Sequence, residues 1–182
     1  MSSSSPSFEQ TLTSALVEAL EQSLHELFGT GEDFYWMALI DTGQGLRPFL
    51  CAWSTQAFQR YLASHGLGPD SCEPYLRWSY AESPYLNVGA HHFAGVDDIL
   101  KRRPTSDQLD PDQWEQELDC RVECAIAAFK ELDARGLFAA HQPRENIMIN
   151  VEDIPPTEDN TTRARELNPA AAIGDWLEFC AE

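Results

Sequence analysis

Phe8, Leu12, Leu16, Leu20, Leu24, Leu27 and Phe28 recur at spacings of four and three, which predicts one amphipathic helix. Glu9, Glu18, Glu21 and Glu26 fall mostly off that stripe, and Gly29 stands where the helix should stop. The run Phe34-Tyr35-Trp36-Met37-Ala38-Leu39-Ile40 is too short and too aromatic for a helix, and it predicts a strand buried on both faces. Asp41-Thr42-Gly43-Gln44-Gly45 reads as a turn into a second strand, Leu46 to Trp53, completing a hairpin. Pro48 cannot donate to a ladder, so pairing there is at an edge or begins later. Ser54 or Thr55 can cap a helix to about Ser64, ahead of the Gly66-Leu67-Gly68-Pro69 break.

Ser79 and Glu82 have capping-box spacing and predict a short helical segment. Another is expected from about His92 to Arg103, before Pro104. The longest helix has signals at both ends: Asp110 as cap, Pro111 in the first helical position, and Gly136 after the last turn. Trp114, Leu118, Val122, Ala125, Phe129 and Leu132 supply its buried stripe. Asn146 to Val151 predicts a third strand, and Pro155-Pro156 an acidic loop. Asn168-Pro169 opens a final helix carrying Ile173, Trp176 and Leu177. The expected fold is α+β, a small antiparallel or mixed sheet of three to four strands packed with several helices. A disordered stub over residues 1–7 precedes a single domain over 8–182.

Charge narrows the choice of partners. The 30 Asp and Glu against 12 Lys and Arg give a net charge of −18. Such a surface repels phosphate backbones and anionic lipid, so neither nucleic acid nor membrane is expected as a partner. It attracts basic partners and speeds their encounter. The stub lacks a basic n-region and an apolar h-region, and no apolar run is long enough to span a bilayer. Cys51, Cys72, Cys120, Cys124 and Cys180 are odd in number and unevenly spaced. That pattern suits reduced thiols and a cytoplasmic setting.

Catalytic signatures are absent. Gly43-Gln44-Gly45 lacks a Gly-Lys-Ser/Thr ending and leads into a strand, so it is a hairpin turn and not a phosphate loop. There is no Gly-x-Ser-x-Gly elbow. Cys120 and Cys124 lie one helical turn apart, but no second close pair completes a metal site. His91 and His92 cannot both point at one metal from a regular helix or strand. No metal or cofactor is therefore expected, and no catalytic residue is assigned. Glu82, near Trp78 and Tyr80, is the one acid in an aromatic neighbourhood; joined to a histidine it is the alternative reading as a small hydrolase. A further alternative is an interaction module of a regulatory assembly.

Acidic residues remain as candidates for contact. Asp97, Asp98, Asp107, Asp110, Asp112, Glu115, Glu117 and Asp119 form one group, partly offset by Lys101, Arg102 and Arg103. Glu152, Asp153, Glu158 and Asp159 form a second, placed in the expected loop and therefore the first choice of contact surface. Asp112 and Glu115 also suit the helix dipole. Trp78, Tyr80 or Tyr85 could serve as aromatic anchors.

The order of several segments resembles a bacterial family of small proteins catalogued only as a domain of unknown function. The segments are Phe34–Ile40, Trp53-Ser54-Thr55, Arg77-Trp78-Ser79-Tyr80-Ala81-Glu82, Leu132-Asp133-Ala134-Arg135-Gly136-Leu137-Phe138, Ile147–Val151 and Arg165-Glu166-Leu167-Asn168. The resemblance spans roughly residues 10 to 170, and Trp-Ser-x-x-Glu is its most recognisable piece. That family typically has Pro after the Trp-Ser pair and an aromatic after the Glu, where this chain has Tyr80 and Ser83. Its members, like Smi1/Knr4-type modules, look like immunity proteins encoded beside polymorphic toxins. The resemblance implies a protein that occludes the active site of a cognate, basic toxin domain, and it brings no catalytic residues to carry over.

Overall fold

A computed structural model describes residues 6–68 and 73–179. Pro69, Cys72 and Cys180, used in the reading above, lie outside the described residues. The first helix, α1, spans Phe8–Phe28. Ser7, assigned above to the stub, is its N-cap, and with Gln10 it forms a capping box. Leu12, Leu16, Leu20, Leu24 and Leu27 are all buried. Each contributes roughly 1.5–3 kcal/mol of burial free energy, so tertiary packing rather than propensity holds this helix.

Strand β1 (Phe34–Asp41) pairs antiparallel with β2 (Phe49–Ser54), as the hairpin reading expects. The second strand begins after Pro48, because that residue has no amide to give. Within the connection Gly45 has φ +68°, and a Cβ there would meet the Trp114 ring at 2.3 Å, so only glycine fits. Ser54 caps α2 (Thr55–Ser64), accepting from the Ala57 amide at 2.9 Å.

Residues 74–86 depart from expectation. Pro74–Trp78 is a 3-10 turn, and Ser79 that follows it is extended. The expected capping box between Ser79 and Glu82 does not form: residues 80–82 make a turn and not a helix, and the Ser79 carbonyl accepts from Trp53 Nε1 at 2.8 Å. A two-residue strand β3 (Tyr85–Leu86) then pairs with β2. Ala90–Phe93 is another 3-10 turn and leads into α3 (Ala94–Leu100), shorter than the predicted His92–Arg103 segment.

Helix α4 (Pro111–Ala134) has the predicted cap, with a full capping box between Asp110 and Gln113. Gly136 follows at φ +79°, ahead of the short α5 (Leu137–His141). Strand β4 (Met148–Asp153) lies parallel to β1, so the sheet is mixed, in the order β3-β2-β1-β4. The acidic stretch that the sequence suggests as loop becomes the end of β4 and a helix, α6 (Glu158–Leu167). Helix α7 (Gly174–Phe179) closes the described chain. The fold is α+β, as the alternation of strands and helical stripes implies.

Both sheet faces are covered. One carries Met37, Leu39, Leu50, Ala52, Ile149 and Val151 against α1 and α4. The other carries Trp36, Ala38, Cys51, Trp53 and Met148 against Trp78, Ala164, Ile173 and Trp176. Along the outer side of β4, Asn168 gives the Ile149 backbone both an acceptor (2.8 Å) and a donor (2.6 Å). Asn160 does the same for Asp153, at 2.8 and 3.2 Å. Gln142 repeats the device at Phe34, before β4 begins, at 3.0 and 2.8 Å.

Candidate functional site: an acidic groove between two helices

Asp41 and Asp153 are register partners at the carboxyl ends of the parallel strands β1 and β4. Asp41 is buried, its Oδ1 accepting from the Gly43 amide at 2.8 Å. Burial raises its pKa, the Gly43 amide opposes this, and the neighbouring Asp153 charge adds to the rise. Asp153 is itself held by Arg163, whose Nη1 lies 2.9 Å from its Oδ2. Above these two strand ends runs a groove between α4 and α6, enclosing one cavity of about 300 Å³ and an adjoining one of about 290 Å³. Glu115, Asp119 and Glu123 line it from α4, and Asp159 and Arg163 from α6. All four of these acids are exposed, and none makes an ion pair among the described residues. Helical spacing of four puts Glu115, Asp119 and Glu123 on one face of α4, so the α4 side of the groove is an acidic row.

The groove brings together Glu115, Asp153 and Asp159 of the expected contact residues, and omits the others. Asp112 is exposed in the first turn of α4 and Glu158 in the first turn of α6, where the helix dipole accounts for both. Trp78 and Tyr80 pack in the aromatic cluster around Trp36 and Trp53, and neither they nor Glu82 line the groove. Trp78 is a core residue and not an anchor: it is buried, edge-on to Tyr35 at 5.4 Å, with its Nε1 unpartnered. Tyr80 is half-buried, tilted against Phe49 at 6.2 Å. Tyr85 is half-buried too and gives its hydroxyl to Glu32 at 2.8 Å. Among the described residues, the large apolar ones that do stand exposed are Leu46, Tyr75 and Leu86. Glu82 is exposed, and no hydrogen bond or ion pair joins it to a histidine among the described residues. His65 bonds to Tyr61 and Ser64, His91 and His92 to Glu26, and His141 to the Glu32 carbonyl.

Glu152 is the clearest correction. It is no loop acid but a strand residue on the aromatic face, its Oε1 accepting from Trp36 Nε1 at 3.0 Å and from Asn150 Nδ2 at 3.3 Å. Part of the residue reaches the surface while the carboxyl group is enclosed, and burial pushes its pKa up to about 7 against those two hydrogen bonds. The sign follows from linkage. Between the ordinary carboxylate pKa, 4.5, and about 7 the folded state keeps a proton that the unfolded state has lost, so stability falls as pH rises through that window. Glu152→Gln is expected to leave stability near pH 4 unchanged and to raise it above pH 7 by roughly 2–3 kcal/mol, read from urea melts at both pH values. An equal effect at both would show that the carboxyl is not held protonated.

His91 and His92 are a second correction. In the 3-10 turn they both direct Nε2 at Glu26 Oε1, which a regular helix or strand would not allow. Cys120 and Cys124 contact Glu9 from α4, and burial raises both thiol pKa values, that of Cys120 to about 11. Cys124 is buried and Cys120 half-buried against α1.

The arrangement defines a class: an α+β domain with a two-sided mixed sheet and an acidic groove at the ends of its parallel strands. No helix among the described residues is long and apolar enough to cross a membrane. The chain belongs to DUF4303, a domain of unknown function that matches residues 5–169. No curated protein and no solved structure shows a significant match to it.

Proposed function

We propose that this is an immunity protein that binds a basic toxin domain in the cytoplasm and occludes its active site. The observation that carries the reading is the row Glu115, Asp119 and Glu123 facing Asp159 across a groove, with no ion-pair partner for any of them among the described residues. Exposed carboxylates on rigid helices repel one another until a cation arrives, so they favour a partner that brings Lys or Arg. The net charge of −18 adds long-range attraction to such a partner and disfavours nucleic acid and anionic membrane. The resemblance of the Trp78–Glu82 segment to toxin-associated immunity families supports the finer choice of partner. Among the described residues Glu82 has no histidine bonded to it, which favours the binding reading over the hydrolase one.

Co-expression with the product of the adjacent gene tests the reading directly. Rescue of growth together with a stoichiometric complex is the expected result. A neighbour that is harmless alone and fails to co-purify would sink it.

A further inference from the structure

We propose that Glu26, His91 and His92 form a binding site for a divalent transition-metal ion of the Zn²⁺ type, separate from the acidic groove. The Nε2 atoms of His91 and His92 stand 3.3 and 2.8 Å from Glu26 Oε1. All three donor atoms lie within 4.8 Å of one another. Tetrahedral zinc, with bonds of about 2.0–2.1 Å to nitrogen and oxygen, separates neighbouring ligand atoms by about 3.3 Å, so the trio needs little adjustment to close on an ion. Two imidazoles and one carboxylate select a borderline transition ion over Ca²⁺ or Mg²⁺, which prefer all-oxygen shells. Three protein ligands leave a position for water.

The frame is fixed by features that do not depend on a metal. Phe93, next in the chain, is fully buried and anchors the 3-10 turn. Gly89 enters that turn at φ +63°, and a Cβ there would stand 2.0 Å from Ser23 Oγ, so the turn is pressed directly onto α1. Ser23 is buried and bonded to the Ala19 carbonyl at 2.8 Å, and Glu26 lies three residues further along the same helix face. The two imidazole rings lie 3.9 Å apart, held side by side over one carboxylate oxygen. His91 and Glu26 are exposed, which gives an ion a path in. Bound metal would tie the Ala90–Phe93 turn to α1.

Calorimetric titration of the untagged full chain with Zn²⁺, and absorption spectra with Co²⁺, test the site. Binding of one equivalent is expected, with Co²⁺ d–d bands of tetrahedral intensity and no thiolate-to-metal charge-transfer band. His91→Ala and Glu26→Gln should each weaken Zn²⁺ binding by about tenfold or more, the change that removing even an outer-shell partner produces. The double variant Cys120→Ser/Cys124→Ser should leave it unaltered. Circular dichroism of each variant separates lost ligation from lost folding. Absence of binding, a thiolate band, or affinity unchanged in both Glu26→Gln and His91→Ala would overturn the proposal.

Discussion

Replacing Glu115, Asp119 and Asp159 together by lysine is expected to slow association with the cognate partner by about 10- to 1,000-fold, the range that electrostatic steering spans. The same change should flatten the dependence of the association rate on salt. All three side chains are exposed and none is in an ion pair among the described residues, so the fold has little to lose. Relief of like-charge repulsion along α4 favours the variant slightly. The control is a reversal of equal charge elsewhere, at Glu18, Asp98 and Asp107, which are exposed and outside the groove. Surface plasmon resonance at two ionic strengths reads the difference. Equal slowing by both sets would mean that diffuse charge steers the partner and the groove does not receive it.

Glu117→Ala should destabilise the fold by about 3–5 kcal/mol, because it strands a buried cation. Glu117 and Arg121 are buried together, with Arg121 Nη2 2.9 Å from Glu117 Oε1. Arg103 grips the same carboxylate from the segment before α4, its Nε 2.9 Å from Oε1. Arg121 also donates to the Gly45 carbonyl and to that of Pro104, and lies over the Trp114 ring. One arginine thereby links α4 to the β1–β2 connection and to the approach from α3. Hydrogen bonding from Arg103 holds the Glu117 pKa below its ordinary value, burial opposes this, and Arg121 assists. This carboxylate stabilises the fold above its unfolded pKa, and the contribution is lost as pH falls through the lowered folded value. Glu152 has the opposite dependence, so the two together favour mildly acidic conditions. Urea unfolding of Glu117→Ala, Arg121→Met and the double variant closes a thermodynamic cycle. A double variant far less damaged than the sum of the singles is expected; additive losses would mean that the pair is not coupled.

Periodicity revealed most of the helices and strands because their apolar positions outnumber their exceptions. Helix α1 and β1 are nearly uninterrupted, and α4 carries a cap, a proline and a terminal glycine. Helix α6 was hidden because only Asn160, Ala164 and Leu167 are buried, and one of those is polar. Glu117 grouped with the contact acids since a buried ion pair at spacing four looks like any solvated pair. Glu152 took on the character of its acidic neighbours, although it alternates with Asn150 and Met148 on one strand face. Parallel pairing of β4 with β1 leaves no local mark, and so neither did the meeting of Asp41 with Asp153. The acids of α4 were visible as acids, but their opposition to Asp159 depends on where α6 lies. Regular helices and strands bar His91 and His92 from a common target, whereas the 3-10 turn gives them one.

The side-chain amides of Gln142, Asn160 and Asn168 have a bearing on recognition. Each presents a donor and an acceptor to one backbone residue, as an adjoining strand would. The β1–β4 margin of the sheet, at Phe34 on β1 and at Ile149 and Asp153 on β4, is thereby capped from within, so it offers little to a foreign segment seeking to extend the sheet. Self-templated polymerisation along that margin is suppressed by the same amides. At that margin a partner is read through its own side chains rather than through borrowed main chain, and substituting the residues it presents would alter specificity without any need to refold the protein that receives it.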